Sequence, residues 1–78
     1  MKQERKSGCL RVYGEIFHYE LQRFDKCSRE GLYGGRIYSL TLKRNGGVVY
    51  RYEKGEQVAP ADQITEVALQ LLLHSENY

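Results

Sequence analysis

Arg36-Ile37-Tyr38-Ser39-Leu40-Thr41-Leu42-Lys43-Arg44-Asn45-Gly46-Gly47-Val48-Val49-Tyr50-Arg51-Tyr52-Glu53 is the stretch that decides the fold. Two runs of alternating apolar and polar residues flank Asn-Gly, a strong local signal for a β-hairpin. Packing chooses the loop length. A two-residue Asn45-Gly46 turn sets Leu40 opposite Arg51 and Thr41 opposite Tyr50. A three-residue loop, Asn45 to Gly47, sets Leu42 opposite Tyr50 and Leu40 opposite Tyr52. Only the second gathers Tyr38, Leu40, Leu42, Val48, Tyr50 and Tyr52 on one face, and face matching is what specifies register. A three-residue loop with a left-handed Gly47 is therefore expected. Ser39, Thr41, Lys43, Val49, Arg51 and Glu53 make the opposite, mostly polar face.

Upstream, Cys9–Tyr13 and Glu15–Phe24 read as two further strands, with Phe17, Tyr19 and Leu21 on one face of the second. Gly14 suits the first position of a tight type II′ turn with Glu15. That turn pairs Val12 with Phe17, Leu10 with Tyr19 and Arg11 with His18. Residues 1–7 are polar and expected to be disordered, leaving 8–78 as a single small domain. Between the hairpins, Asp25 to Gly35 is a glycine-rich loop.

Downstream, Ala59-Pro60 opens a helix, because proline fits the first helical position and Asp62 in the first turn complements the helix dipole. Ile64, Val67, Ala68, Leu71 and Leu72 recur at helical spacing. This stripe needs a surface to cover, and the apolar sheet face supplies it. The expected fold is α+β: a four-stranded antiparallel sheet of two hairpins, covered on one face by a single C-terminal helix.

Seventy-eight residues give room for one core, and a chain of this size buries only about 60% of its unfolded surface. Apolar residues at 41% and charged residues at 28% place it among folded domains. No apolar run approaches a membrane span, and no signal-peptide apolar stretch follows the charged start. A cytoplasmic location is expected, with Cys9 and Cys27 as reduced thiols. Charge is uneven. All twelve Lys and Arg lie between Lys2 and Lys54, while the part after Ala59 holds Asp62, Glu66 and Glu76 and no Lys or Arg. An acidic helix face beside a basic sheet accounts for this without a nucleic-acid partner.

No constellation of nucleophile, base and stabiliser assembles from the sequence, so no enzymatic activity is expected. Cys9, His18, Cys27 and His74 are spread singly rather than in the close pairs of structural zinc sites, so neither metal nor cofactor is expected. Gly31-Leu32-Tyr33-Gly34-Gly35-Arg36 precedes a strand, whereas a phosphate cradle opens a helix. Its glycines read as turn positions with left-handed backbone. Tyrosines and arginines on one sheet can stack single-stranded nucleic acid. However, Tyr38, Tyr50 and Tyr52 are expected under the helix, leaving Tyr13, Tyr33 and Tyr78 as exposed rings.

The segment Ser28-Arg29-Glu30-Gly31-Leu32-Tyr33-Gly34-Gly35-Arg36-Ile37-Tyr38-Ser39-Leu40 resembles a family of small uncharacterised proteins from Gram-positive gut bacteria and their phages. Their pattern runs Ser-x-x-Gly-x-x-x-Gly-Arg-Ile-x-x-Leu. A second family block, Tyr-Asp-Arg-Gly, corresponds here to Tyr52-Glu53-Lys54-Gly55, followed by Glu56 where the family carries an aromatic. The resemblance implies a phage or mobile-element context and no particular chemistry.

The sequence points to a non-enzymatic interaction module with a protein partner and no membrane association. The candidate surface is Arg29, Tyr33, Arg36, Lys43 and Arg51, because functional residues favour loops and open faces on a rigid scaffold. Two readings of Arg36 stay open. It meets a partner's carboxylate or phosphate, or it pairs with Asp25 or Glu30 and only orders the loop. The alternative function is a nucleic-acid-binding accessory protein using Arg29, Arg36, Lys43, Arg44 and Arg51. A homodimer through a sheet edge is a further expectation.

Overall fold

The computed structural model describes residues 2–77. Five strands, β1 (Gln3–Val12), β2 (Glu15–Phe24), β3 (Ile37–Arg44), β4 (Gly47–Glu53) and β5 (Glu56–Val58), form one antiparallel sheet in chain order. A single helix, α1 (Gln63–Glu76), closes the chain. The architecture is α+β as expected, but the sheet has five strands rather than four. Three residues, Glu56-Gln57-Val58, are too few and too polar to show a strand period. They pair because the Lys54-Gly55 corner folds them back onto Arg51 and Tyr52.

β1 begins at Gln3, so residues 3–7, expected to be disordered, are paired strand instead. Their partners explain this. Glu4 and Lys6 sit opposite Arg23 and Leu21, and both are tied down by ion pairs described below. Met1 and Tyr78 lie outside the described residues.

The first hairpin turns at Tyr13-Gly14, both left-handed (φ 50° and 81°), rather than at Gly14-Glu15. Val12 therefore pairs with Glu15, Leu10 with Phe17, Gly8 with Tyr19 and Cys9 with His18. The register differs from the expected one by two residues. A two-residue shift leaves every side chain on its own face, so the hydrophobic pattern alone could not distinguish the two registers. Both turn types match the twist of the flanking strands, but cross-strand charge separates the registers: the observed one sets Glu4 opposite Arg23, whereas the expected one sets Glu4 opposite Asp25 and Lys6 opposite Arg23.

The second hairpin satisfies both turn chemistry and packing. Asn45-Gly46 is a two-residue left-handed turn (φ 52° and 80°) that pairs Arg44 with Gly47 and Lys43 with Val48. A bulge at Val49 then restores Leu42 opposite Tyr50 and Leu40 opposite Tyr52, the expected pairs. The expected three-residue loop is thus corrected to a shorter turn plus a bulge, which also inserts one extra residue. Its consequence is that Val49 packs against the core while Val48 is exposed. A bulge at Tyr38 acts likewise on β3. Ile37 is fully buried, and Tyr38 moves from the expected apolar face to the other side, where it stacks on Phe24 (centroids 4.4 Å apart).

Asp62, not Ala59, caps α1. Its Oδ1 accepts from the Thr65 N–H (2.9 Å) and the Thr65 hydroxyl (2.7 Å), satisfying a donor that the first helical turn leaves open. Ala68, Leu69, Leu72 and Leu73 are buried against Val12, Phe17, Leu21, Leu40, Leu42 and Tyr50. Leu71, expected in the core, is 50% exposed. Apolar residues surround more of this helix than one sheet can cover, and the sheet took the Leu69–Leu73 side. The last turn is fastened twice. Glu76 accepts from Lys6 (2.7 Å) and Arg23 (2.8 Å). The fully buried Asn77 accepts from the Ile37 N–H (2.9 Å) and donates to the Leu32 carbonyl (2.8 Å).

Candidate interaction surfaces

Covering one sheet face with a single helix leaves two free surfaces, the outward side of α1 and the outer face of the sheet. A third feature is the edge of the sheet at β1. The five residues singled out from sequence fall on different surfaces. Lys43 and Arg51 are exposed on the outer sheet face, where Arg51 also contacts Glu53 (3.0 Å). Arg29 is exposed in the β2–β3 loop. Tyr33 stands beside Gln70, Leu73 and His74 on the helix side. Arg36 is half-buried, and its Nε donates to the Phe24 carbonyl (2.9 Å). Its main chain is equally committed, with its N–H on the Asn77 carbonyl and its own carbonyl accepting from Phe24. The five residues are thus divided between the β2–β3 loop, the helix side and the outer sheet face, and the Arg36 side chain is bonded to the end of β2.

Two of the four remaining arginines, Arg23 and Arg44, also brace the fold. Arg44 joins Glu15 (3.1 Å) and Asp62 (3.0 Å) and lies over the Phe17 ring, tying the first hairpin to the helix start. Arg23 bridges Glu4 (3.1 Å) and Glu76, and its side chain is only 13% exposed. The Arg23 hydrogen bond holds the Glu4 carboxyl below its ordinary value, and the Glu76 hydrogen bond raises the Lys6 ammonium. Of the basic residues named for nucleic acid, Arg29 and Lys43 are exposed and form no ion pair among the described residues.

The outward side of α1 carries an uncovered apolar strip. Val67 and Leu71 form its middle, with Gln63, Glu66, Gln70 and His74 around them. Tyr13, 82% exposed, closes one end beside Ile64 and Val67. Tyr33, 65% exposed, closes the other beside Gln70 and His74. Both tyrosines have left-handed backbone (φ 50° and 51°), a conformation that costs a bulky side chain energy and normally goes to Gly, Asn or Asp. The surplus of apolar positions on the helix was the sequence signal for this strip. Reading Leu71 as core concealed it.

On the outer sheet face the register sets Cys9 beside His18, and His18 beside Lys43, correcting the expected Arg11–His18 pair. Cys9 and Cys27 are both exposed free thiols. Among the described residues no group of three or more His, Cys, Asp and Glu is placed to hold a metal ion. No described helix is long and apolar enough to cross a membrane.

The pattern of the family "domain of unknown function DUF7678" matches residues 4–77. The chain belongs to that family. The match spans β1 through Asn77, so the DUF7678 unit includes all five strands, the helix and the Asn77 anchor. No curated protein and no solved structure matches the chain.

Proposed function

We propose that this DUF7678 chain is a non-enzymatic protein-interaction module whose docking surface is the outward strip of α1. The observation that carries the reading is the pair Tyr13 and Tyr33, held exposed at left-handed backbone on either side of Val67 and Leu71. An observed backbone outlier is a pointer to function when a cheaper residue would fit the turn. Tyrosine is also enriched at interfaces, where its ring supplies contact area at small entropic cost.

The strip fits a partner's apolar ridge with a cation opposite Glu66, because the chain after Ala59 carries acids and no Lys or Arg. The non-enzymatic reading rests on the use made of the clustered ionisable groups. Glu4, Lys6, Arg23 and Glu76 fasten the helix end, and Glu15, Arg44 and Asp62 fasten its start. The resemblance at Ser28–Leu40 adds a phage or mobile-element setting to the proposal. The two exposed thiols suit a reducing, cytoplasmic one. The nucleic-acid alternative has weaker support, since Arg36, Arg44 and Arg51 are engaged within the chain.

The test is affinity capture from the organism of origin with wild type, Leu71→Glu, Tyr33→Ser and Arg51→Glu. A partner retained by wild type and Arg51→Glu but lost with Leu71→Glu and Tyr33→Ser supports the strip. Its retention should be indifferent to nuclease and to moderate salt. Retention abolished by nuclease or falling steeply with salt would instead establish the nucleic-acid reading.

A further inference from the structure

β1 is the long edge of the sheet. Among the described residues β2 is its single strand neighbour, and the opposite edge, β5, is three residues long and bulged. The β1–β2 register runs from Gln3 to Val12 without a shift, whereas each of the other three strand pairs carries one. Its free side can be assigned. The Asp25 N–H donates to the Lys2 carbonyl (3.2 Å), and alternate residues of an antiparallel strand bond to the same neighbour. Even-numbered residues of β1 therefore bond to β2. Gln3, Arg5, Ser7, Cys9 and Arg11 aim their N–H and C=O groups away from the sheet, and all five are exposed.

Such an edge is a template for another strand unless charge blocks it. The charges that face the helix side are already neutralised, Glu4 by Arg23 and Lys6 by Glu76. Arg5 and Arg11 remain on the outer face, six positions apart, or about 20 Å of extended chain at ~3.4 Å per residue. Between them Ser7 and Cys9 are small and leave the edge accessible. A second copy of β1 would bring two more guanidinium groups onto that face, and no acid stands among the outward residues of β1 to offset them. Charge thus disfavours self-pairing and favours an acidic strand.

We infer that β1 is a docking edge for an extended acidic segment of a partner protein, which adds as a sixth strand. Its main chain bonds the outward amides of Arg5, Ser7, Cys9 and Arg11. Two of its carboxylates, six residues apart, meet Arg5 and Arg11. This site is independent of the α1 strip.

The probe is a labelled peptide of alternating Thr and Val, long enough to span Gln3–Arg11, with glutamates six positions apart. Its control is the same peptide N-methylated at alternate residues, which removes the hydrogen-bond donors and keeps the charge. Fluorescence anisotropy should show binding that falls at least about tenfold for the control and for Arg5→Glu/Arg11→Glu, as expected when charge-assisted hydrogen bonds are lost. Leu71→Glu should bind as wild type, which separates this site from the strip. The peptide should also slow amide exchange at Arg5, Ser7, Cys9 and Arg11. Equal binding of the methylated control, protection elsewhere, no binding, or a self-paired dimer with these amides protected in sedimentation and exchange experiments would overturn the inference. Arg5 and Arg11 are exposed, so an unchanged amide spectrum shows that the variant still folds.

Discussion

The side-chain amide of Asn77 fills the space that a Cβ on Gly35 would need. Gly35 has an ordinary extended φ of −96°, so glycine is required there by proximity and not by backbone conformation. Gly35→Ala should displace Asn77 and its two buried hydrogen bonds. A cost of about 2 kcal/mol or more is expected, from overpacking together with unsatisfied buried groups. Gly34→Ala meets open space and only a left-handed φ of 69°, a cost of about 1 kcal/mol. Urea melts of the two variants should rank them in that order. The reverse order would show that Asn77 is not the constraint.

Leu72 and Leu71 are neighbours in sequence with opposite fates, 4% and 50% exposed. Leu72→Ala should destabilise by about 2–5 kcal/mol, the range for truncating a buried leucine. Leu71→Ala should change stability by less than about 0.5 kcal/mol, as surface substitutions do. A large loss at Leu71 would mean that the strip is covered and cannot dock a partner.

The hydroxyl of Tyr50 is buried and has no hydrogen-bond partner among the described residues, and burial pushes its phenol above the ordinary range. Tyr50→Phe removes a polar group that folding strips of water without replacing its bonds. Stability should hold or rise by up to about 1 kcal/mol. A clear drop in melting temperature would reveal a partner for the hydroxyl.

Asp62 gives a pH prediction. Its carboxyl is held below the ordinary value of 3.8, first by the Thr65 hydroxyl and then by the Thr65 N–H, with Arg44 adding attraction. A depressed folded pKa contributes stability that is present above the unfolded value and lost as pH falls through the folded one. Asp62→Asn keeps a capping oxygen but no titratable charge. Below about pH 4 its stability should therefore fall less steeply than that of wild type. Parallel acid titrations of the two would contradict the assignment.

The parts of the fold legible in the sequence were those fixed by periodicity. β2 ran over its expected residues, Leu42 met Tyr50, and the sheet carried its helix on the expected face. The misreadings have separate physical causes. Turns at Tyr13 and bulges at Tyr38 and Val49 act through backbone geometry, which residue type signals weakly. The orientation of α1 was degenerate because Leu69, Leu71, Leu72 and Leu73 allow two apolar faces. Of the candidate surface, Tyr33 and the open sheet residues Lys43 and Arg51 were readable as exposed. That Arg36 would be committed to Phe24 was not, because a carbonyl acceptor leaves no trace in a sequence.

The strand order follows the chain order, and this shapes how the molecule assembles. Each neighbouring pair closes through a short connection, the longest being the Asp25–Arg36 segment, so little loop entropy opposes the sheet. The distant closures belong to the helix, which must bring Glu76 back to Lys6 across almost the whole chain. During synthesis the sheet can therefore form with its apolar face still bare, because the residues that cover it follow all five strands in the chain. Without the fourteen residues of α1, Phe17, Leu21, Leu40, Leu42 and Tyr50 would lie bare on one sheet face, so the helix also guards the sheet against association through that face.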